Sequence, residues 1–384
     1  MVALLLAFLV LLAGCFSPAP AVRQPTVAEQ VQDFLDQRVE LLAANDIQGF
    51  LATSSPQAQE VERPIAIGAV AVPVTGIRMR LDQGALRDRD APPTGIEVQF
   101  IYRYEGLPED NTFRILLNYD FADTSEGWRV AAASVRPGSG LPVWASGPIQ
   151  SQRSEHFLAL YRPDLPNPER VLREAEEARA QLDGKITFPL EDHYVILVAR
   201  NDSEYQTMSS ATLGPVSAIA QVETSYEVTP DTIRVLSRQM VINSQKLHAD
   251  GQALETLRHE LGHLAVAQYT RPFTPAWVSE SAAMYLAGTR PVAIWRNGLQ
   301  RNRFDQVTIE RLTRASNLGE HDPSREGASL EYAYSAAAAW YLVDTFGAER
   351  YWEFYRTYAE VPAAELYERL PVNTTGPEGD EAIE

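Results

Sequence analysis

Two periodicities divide the chain. Over residues 26–44, Val27, Val31, Phe34, Leu35, Leu41 and Leu42 fall on one stripe of a 3.6-residue period, which predicts an amphipathic helix. Further on the period drops to two. Ile96, Val98, Phe100, Tyr102 and Tyr104 alternate with polar residues, as do Phe113, Ile115, Leu117, Tyr119 and Phe121, so each run predicts a strand with one buried face. Gly106-Leu107-Pro108-Glu109-Asp110 supplies the turn between them, and Thr124-Ser125-Glu126-Gly127 leads into a third strand through Trp128 and Val130. Residues 65–81 are expected to add one or two strands. One helix on a curved antiparallel sheet makes an α+β module over residues 26–135. Residues 136–150 open with Arg136-Pro137-Gly138-Ser139-Gly140-Leu141-Pro142, turn formers without an apolar period, and predict a linker.

A second domain is expected over residues 151–371. His156-Phe157-Leu158-Ala159-Leu160 predicts a short strand, residues 168–182 a charged amphipathic helix, and residues 194–199 and 233–243 two more strands. Leu254, Leu257, Leu261, Leu264 and Ala265 recur at three- and four-residue spacing, which predicts a helix over 253–269 with Asp250 as its N-cap. Arg271-Pro272-Phe273 breaks it. A second helix follows over 274–286, with Thr274 as N-cap and Pro275 at the first helical position. Residues 307–315 and 332–346 continue helical, 319–327 reads as a loop, and the acidic tail 372–384 as disordered.

Charge narrows the partners. The chain of 384 residues carries 33 Lys and Arg against 51 Asp and Glu, a formal charge of −18, so it repels polyanions; no nucleic acid is expected as a partner. Residues 2–13 form an unbroken apolar run, too short to span a bilayer but suited to a signal peptide, here residues 1–14. The ending Leu12-Ala13-Gly14-Cys15 resembles a bacterial lipobox, although no Lys or Arg precedes the run. Cys15 is the only cysteine, so it forms no internal disulfide and suits a lipid anchor. Residues 15–25 would then be a lipidated tether. These features predict a cell-membrane, lipid-anchored protein on the extracytoplasmic face.

The helix over 253–269 carries His259-Glu260-Leu261-Gly262-His263. Residues four apart on a helix share a face, so His259 and His263 can bond one small cation, while Glu260 is placed to take a proton from water beside it. Chance occurrence is rare in a chain with only six histidines. A third ligand on the same extension is excluded, because Val266 and Tyr269 stand where one class of such sites has Gly and His. Glu280, one turn into the second helix, is the expected third ligand, leaving a fourth position open as catalytic zinc requires.

HELGH followed by PAWVSESAAMYLAG resembles the gluzincin zinc metallopeptidases, most closely the peptidase MA-like proteins. Ser281 stands where that family usually has Gly. The resemblance runs from about residue 154 to 354 and implies a zincin-like domain with a small mixed sheet, a motif helix and a mostly helical C-terminal part. It implies one zinc ion, a peptide or protein substrate, and hydrolysis with Glu260 as general base. Tyr332-Ala333-Tyr334-Ser335 resembles the family's tyrosine-bearing helix, which implies Tyr332, with Tyr334 behind it, as donor to the transition-state oxyanion. Residues 240–243, just before the motif helix, are expected to form the sheet edge over the cleft. The N-terminal module resembles the nuclear-transport-factor-like cone fold and implies a structural or substrate-positioning role. His156, His193, His248 and His321 have no spacing that ties them to the site. Two rival readings are a surface lipoprotein whose zinc only staples two helices, and an envelope-assembly protein that binds through the cone.

Overall fold

Thr26 starts the first helix with a reciprocal cap. Its hydroxyl accepts from the Glu29 amide at 3.3 Å, and the Glu29 carboxylate accepts from the Thr26 amide at 2.7 Å. This computed structural model describes residues 23–81, 92–137, 139, 141–209, 217–226, 233–249, 251–271, 274–290 and 325–360. Cys15 and the apolar run before it, residues 307–315, His321 and the tail 372–384 lie outside them.

Helix α1 (Val27–Ala43) is followed by two helices that the sequence reading missed, α2 (Ile47–Ala52) and α3 (Pro56–Ala71). Residues 65–71 are therefore helical, and only β1 (Val74–Leu81) of the 65–81 segment is a strand. The apparent alternation there is one edge of a helical stripe in which Ala58, Glu62, Ile65, Ala66 and Ala69 are buried. Pro64 lies inside α3 and removes one helix hydrogen bond without ending the helix.

β1, β2 (Ile96–Tyr104), β3 (Phe113–Thr124) and β4 (Gly127–Val135) form an antiparallel sheet in sequence order. Ile96 faces Tyr119 and Tyr102 faces Phe113, with alternate residues of both strands buried as the period of two requires. Register shifts between Thr75 and Arg78 and between Asp120 and Phe121 bend the sheet around the helices. Inside this layer Arg38 and Glu62 are fully buried as an ion pair at 2.7 Å, and the guanidinium also lies 4.1 Å from the Phe50 ring centroid.

The expected linker is packed rather than free. Val143–Ser146 forms a single 3₁₀ turn with Val143, Trp144 and Ala145 buried. Trp144 Nε1 donates to the Tyr104 hydroxyl at 3.2 Å. Gly68 makes this docking possible, since a Cβ there would lie 2.3 Å from the Trp144 carbonyl oxygen. A turn of this length is too short to show a period.

The second sheet comprises β5 (Gln150–Arg153), β6 (Phe157–Tyr161), β7 (Tyr194–Ala199), β8 (Ala218–Tyr226) and β9 (Ile233–Asn243), in the order β5-β6-β7-β9-β8. β6, β7 and β9 run parallel; β5 and β8 pair antiparallel at the two edges. Residues 240–243 thus lie in an interior strand, contrary to expectation, and the edge is β8. One face of this sheet, with Leu158, Leu160, Val195 and Leu197, shares a hydrophobic core with the first sheet and its helices. The other face, with Ala159, Ile196, Val198, Met240 and Ile242, packs under α4 (Pro168–Ala180) and the motif helix. After β7 comes α5 (Asp202–Ser209), and after β9 the single turn α6 (Ser244–Leu247). The whole is α+β with two small sheets. Among the described residues, no helix is long and apolar enough to cross a membrane.

Candidate metal centre

Helix α7 (Ala253–Val266) carries the His-Glu-x-x-His motif. Its N-cap is Gln252, with no side-chain cap bond, and not Asp250, which lies outside the described residues. The expected helix also ends early, because Ala267–Tyr269 tightens to a 3₁₀ turn. Leu257, Leu261 and Leu264 are buried against the second sheet. His259 and His263 leave the helix one turn apart, with ring centroids 4.8 Å apart and planes nearly perpendicular at 83°.

The second helix, α8 (Ala276–Ala287), begins one residue later than expected. Pro275 is its N-cap, while Thr274 Oγ1 accepts from the Arg271 amide at 2.9 Å and closes the turn between the helices. The helices cross at Gly262, where a Cβ would lie 3.0 Å from Ala283 Cα and 3.2 Å from Leu286 Cδ1. Ser281 does not loosen this packing. It is buried, its hydroxyl donates to the Val278 carbonyl at 2.8 Å and lies 2.9 Å from the Tyr351 hydroxyl of α10 (Ala348–Glu360).

This crossing brings Glu280 against both imidazoles. Glu280 Oε2 lies 3.2 Å from His259 Nε2, Glu280 Oε1 lies 3.5 Å from His263 Nε2, and the two Nε2 atoms are 3.2 Å apart. One donor atom from each residue falls within 4.8 Å of the others. Oε2 is buried and meets the distance of an ion pair, yet it has no hydrogen-bond partner of good geometry among the described residues. Electron pairs that converge on one point, instead of pairing donor to acceptor, suit a cation. Among the described residues this is the one cluster of three such ligands. Ser279 Oγ lies 3.3 Å from His263 Nδ1, so the ring's far nitrogen has a partner that fixes its orientation.

Electrostatics agree with the geometry. Burial alone would lower the His263 pKa, but the negative charge of Glu280 beside it raises it to about 9. Burial likewise opposes ionisation of Glu280, and the imidazoles of His263 and His259 outweigh it, holding the carboxyl far below the usual carboxylate range. The three groups could hold a divalent cation where a proton would otherwise sit.

Glu260 is 9% exposed, and its Oε2 accepts from the Ala220 amide of β8 at 2.6 Å. This contact places the edge strand β8, and not β9, beside the candidate metal centre. Tyr332 lies on α9 (Arg325–Phe346), which packs on α8. Its hydroxyl pKa is raised by the charge of Glu280 first, then by burial, then by the charge of Glu260. Tyr334, partly buried, packs into the core beneath. Residues 325–327, expected in a loop, already belong to α9.

Two of the other histidines are engaged elsewhere. His156 Nδ1 meets Glu176 Oε2 at 2.7 Å, and His248 Nε2 meets Glu174 Oε2 at 2.7 Å, both on α4; His193 is half-buried at the entry to β7. Sequence reasoning missed the Ala220 amide, Ser279 and Tyr205. Tyr205 on α5 is buried with its hydroxyl unpaired among the described residues, and burial and then the charge of Glu260 raise its pKa. Only Ser279 carried a signal, its place next to a predicted ligand. In comparisons with known proteins, the chain matches no family model and no curated protein sequence.

Proposed function

We propose that this chain is a zinc-dependent peptidase of the gluzincin kind, with His259, His263 and Glu280 as metal ligands. One observation carries the reading: three ligand groups from two crossing helices converge beside a carboxylate, Glu260, that is aimed by a main-chain amide. Zinc at these ligands would polarise a water molecule and lower its pKa from 15.7 toward about 7. Glu260 takes the proton of the attacking water and passes it to the leaving amine. A structural metal site has no need of such a base, which separates this reading from a stapled, non-catalytic shell. Tyr332 donates its phenolic hydrogen to the oxyanion that forms on the scissile carbonyl.

The substrate is read as an extended peptide or protein segment. Ala220 turns its N–H away from β9 toward Glu260, so by the period of two the main chain of Val222 also faces the free edge of β8. An extended chain adds to such an edge through backbone hydrogen bonds. The N-terminal module is read as a nuclear-transport-factor-like cone. The same proposal keeps the chain tethered outside the cytoplasm through acylated Cys15, after loss of residues 1–14.

The test is Glu260→Gln in a peptide-cleavage profile, run with and without a chelator. Wild-type cleavage is expected to stop on chelation. The variant is expected to retain one zinc per chain and to lose cleavage by roughly 10²–10⁴-fold. Full cleavage by the variant overturns the reading.

A further inference from the structure

An edge strand is gripped from one side only by its sheet, so its place over a cleft depends on what else holds it. β8 pairs with β9 along one edge, and its other edge meets Glu260 through the Ala220 amide at 2.6 Å. The side chains of β8 alternate. Ala218 and Ala220 pack toward the motif helix, whereas Ile219, Gln221 and Glu223 turn toward the first sheet.

The junction on that side is open rather than close-packed. A cavity of about 220 Å³ lies there, walled by Tyr102 and Phe113 of the first sheet and by Gln221 and Ser237 of the second. Across it the two sheets are joined by polar clips. Arg114 Nε of β3 donates to Glu223 Oε1, with both side chains about a third exposed. The Thr112 amide, just before β3, donates to the Leu236 carbonyl of β9 at 2.5 Å. On the second sheet's own side, Gln221 Nε2 donates to the Ser209 carbonyl at 2.5 Å and Gln239 Nε2 to Gln221 Oε1 at 2.7 Å. Among the described residues, Arg114 with Glu223 is the one ion pair that joins the first sheet to β8. It sits three residues from Ala220, at the register shift between Glu223 and Thr224.

We infer that the N-terminal module is a positioning element of the candidate active site: Arg114, through Glu223, holds β8 where the Ala220 amide meets Glu260. Arg114 and Glu223 are positioning residues and touch no reacting atom. Freed of this clip, β8 moves on its β9 edge, the Ala220 amide leaves the carboxylate, and Glu260 loses the bond that aims it. The inference rests on the proposed role of Glu260 for its effect on turnover only; the structural link is independent of it.

The experiment measures hydrogen exchange at the Ala220 amide in the full chain, with the core amides of Val195 and Ile196 as internal reference. In Arg114→Ala and in the milder Glu223→Gln, exchange at Ala220 is expected to rise about two- to five-fold while the reference amides hold, as suits a partly exposed pair. The charge-swapped pair Arg114→Glu with Glu223→Arg is expected to restore protection, and either reversal alone is not. Zinc content stays at the wild-type level, and kcat on a peptide falls in step with the lost protection. Unchanged exchange at Ala220 in both single variants overturns the inference, as does a rise that the swapped pair fails to reverse. If exchange responds as stated but the wild-type chain cleaves no peptide, the peptidase reading falls and the positioning link stands.

Discussion

Gly262 shows how one position can set the spacing of a site. Glycine inside a helix costs about 1 kcal/mol relative to alanine, so propensity alone would favour Gly262→Ala. Here the added Cβ would meet Ala283 Cα at 3.0 Å, backbone that cannot swing aside. Overpacking of this sort typically costs about 1–3 kcal/mol, which outweighs the gain. The two histidines ride on one of these helices and Glu280 on the other, so forcing the helices apart opens the ligand cluster. Gly262→Ala is therefore expected to lower both the melting temperature and the zinc affinity, the latter about tenfold if the lost fit amounts to about 1.4 kcal/mol. Competition titration against a zinc chelator reads the affinity; a variant that binds as tightly and melts higher would mean that the helix pair yields without cost. The motif histidines themselves were legible because their spacing is a geometric statement about a helix face. The Ala220 amide was not, because a main-chain donor leaves no mark in a sequence.

Elements with one strong period were read to within a few residues, and those with two competing periods were not. β2 and β3 alternate cleanly and match their expected spans. In Ala218–Tyr226 the apolar Ile219 and Val222 stand three apart, which breaks the period of two, so β8 went unseen. The run Met240-Val241-Ile242 is apolar on both faces, the mark of an interior strand, and its place before the motif helix was a poorer guide than that pattern. α4 illustrates what packing adds to a correctly read helix. Its outward carboxylates take hold of neighbouring loops, Glu174 at His248 and Glu176 at His156. Burial would raise the Glu176 pKa, but the nearby Ser154 hydroxyl and the hydrogen bonds from the His156 amide at 2.8 Å and ring at 2.7 Å hold it below its ordinary 4.5. A carboxyl depressed on folding stabilises the fold above its unfolded value, and that contribution is lost as pH falls through the lower folded value. Glu176→Gln should therefore lower the melting temperature at neutral pH and flatten its decline below pH 4.5. Melting curves of both proteins across the acid range check this; parallel curves would mean that the contact contributes nothing to stability.

At the scale of the molecule, the question is whether the two sheets behave as one body. Composition and turn formers suggest two domains and a linker, but the described core runs from Trp144 and Tyr104 into Leu158, Val195 and Leu197 without a break. Turn residues at 136–142 mark a change of direction, and nothing in a seven-residue stretch reveals that the next turn is buried. A continuous core couples the unfolding of both halves, whereas the candidate metal ligands all lie in the second. Metal removal thus separates the possibilities. A ligand present at a hundred times its Kd adds about 2.7 kcal/mol to the stability of whatever unfolds with its site. For a cooperative unit of this size that corresponds to a fall of roughly 3–5 °C on chelation. If the halves are one unit, tryptophan fluorescence dominated by Trp128 and Trp144 in the first half, isolated by replacing the remaining tryptophans with phenylalanine, falls by the same amount as circular dichroism of the whole chain. If the junction is only a contact between independent domains, calorimetry shows two transitions, and the chelator moves just one. The core that Leu158, Leu160, Val195 and Leu197 of the second sheet share with the first argues for the single transition.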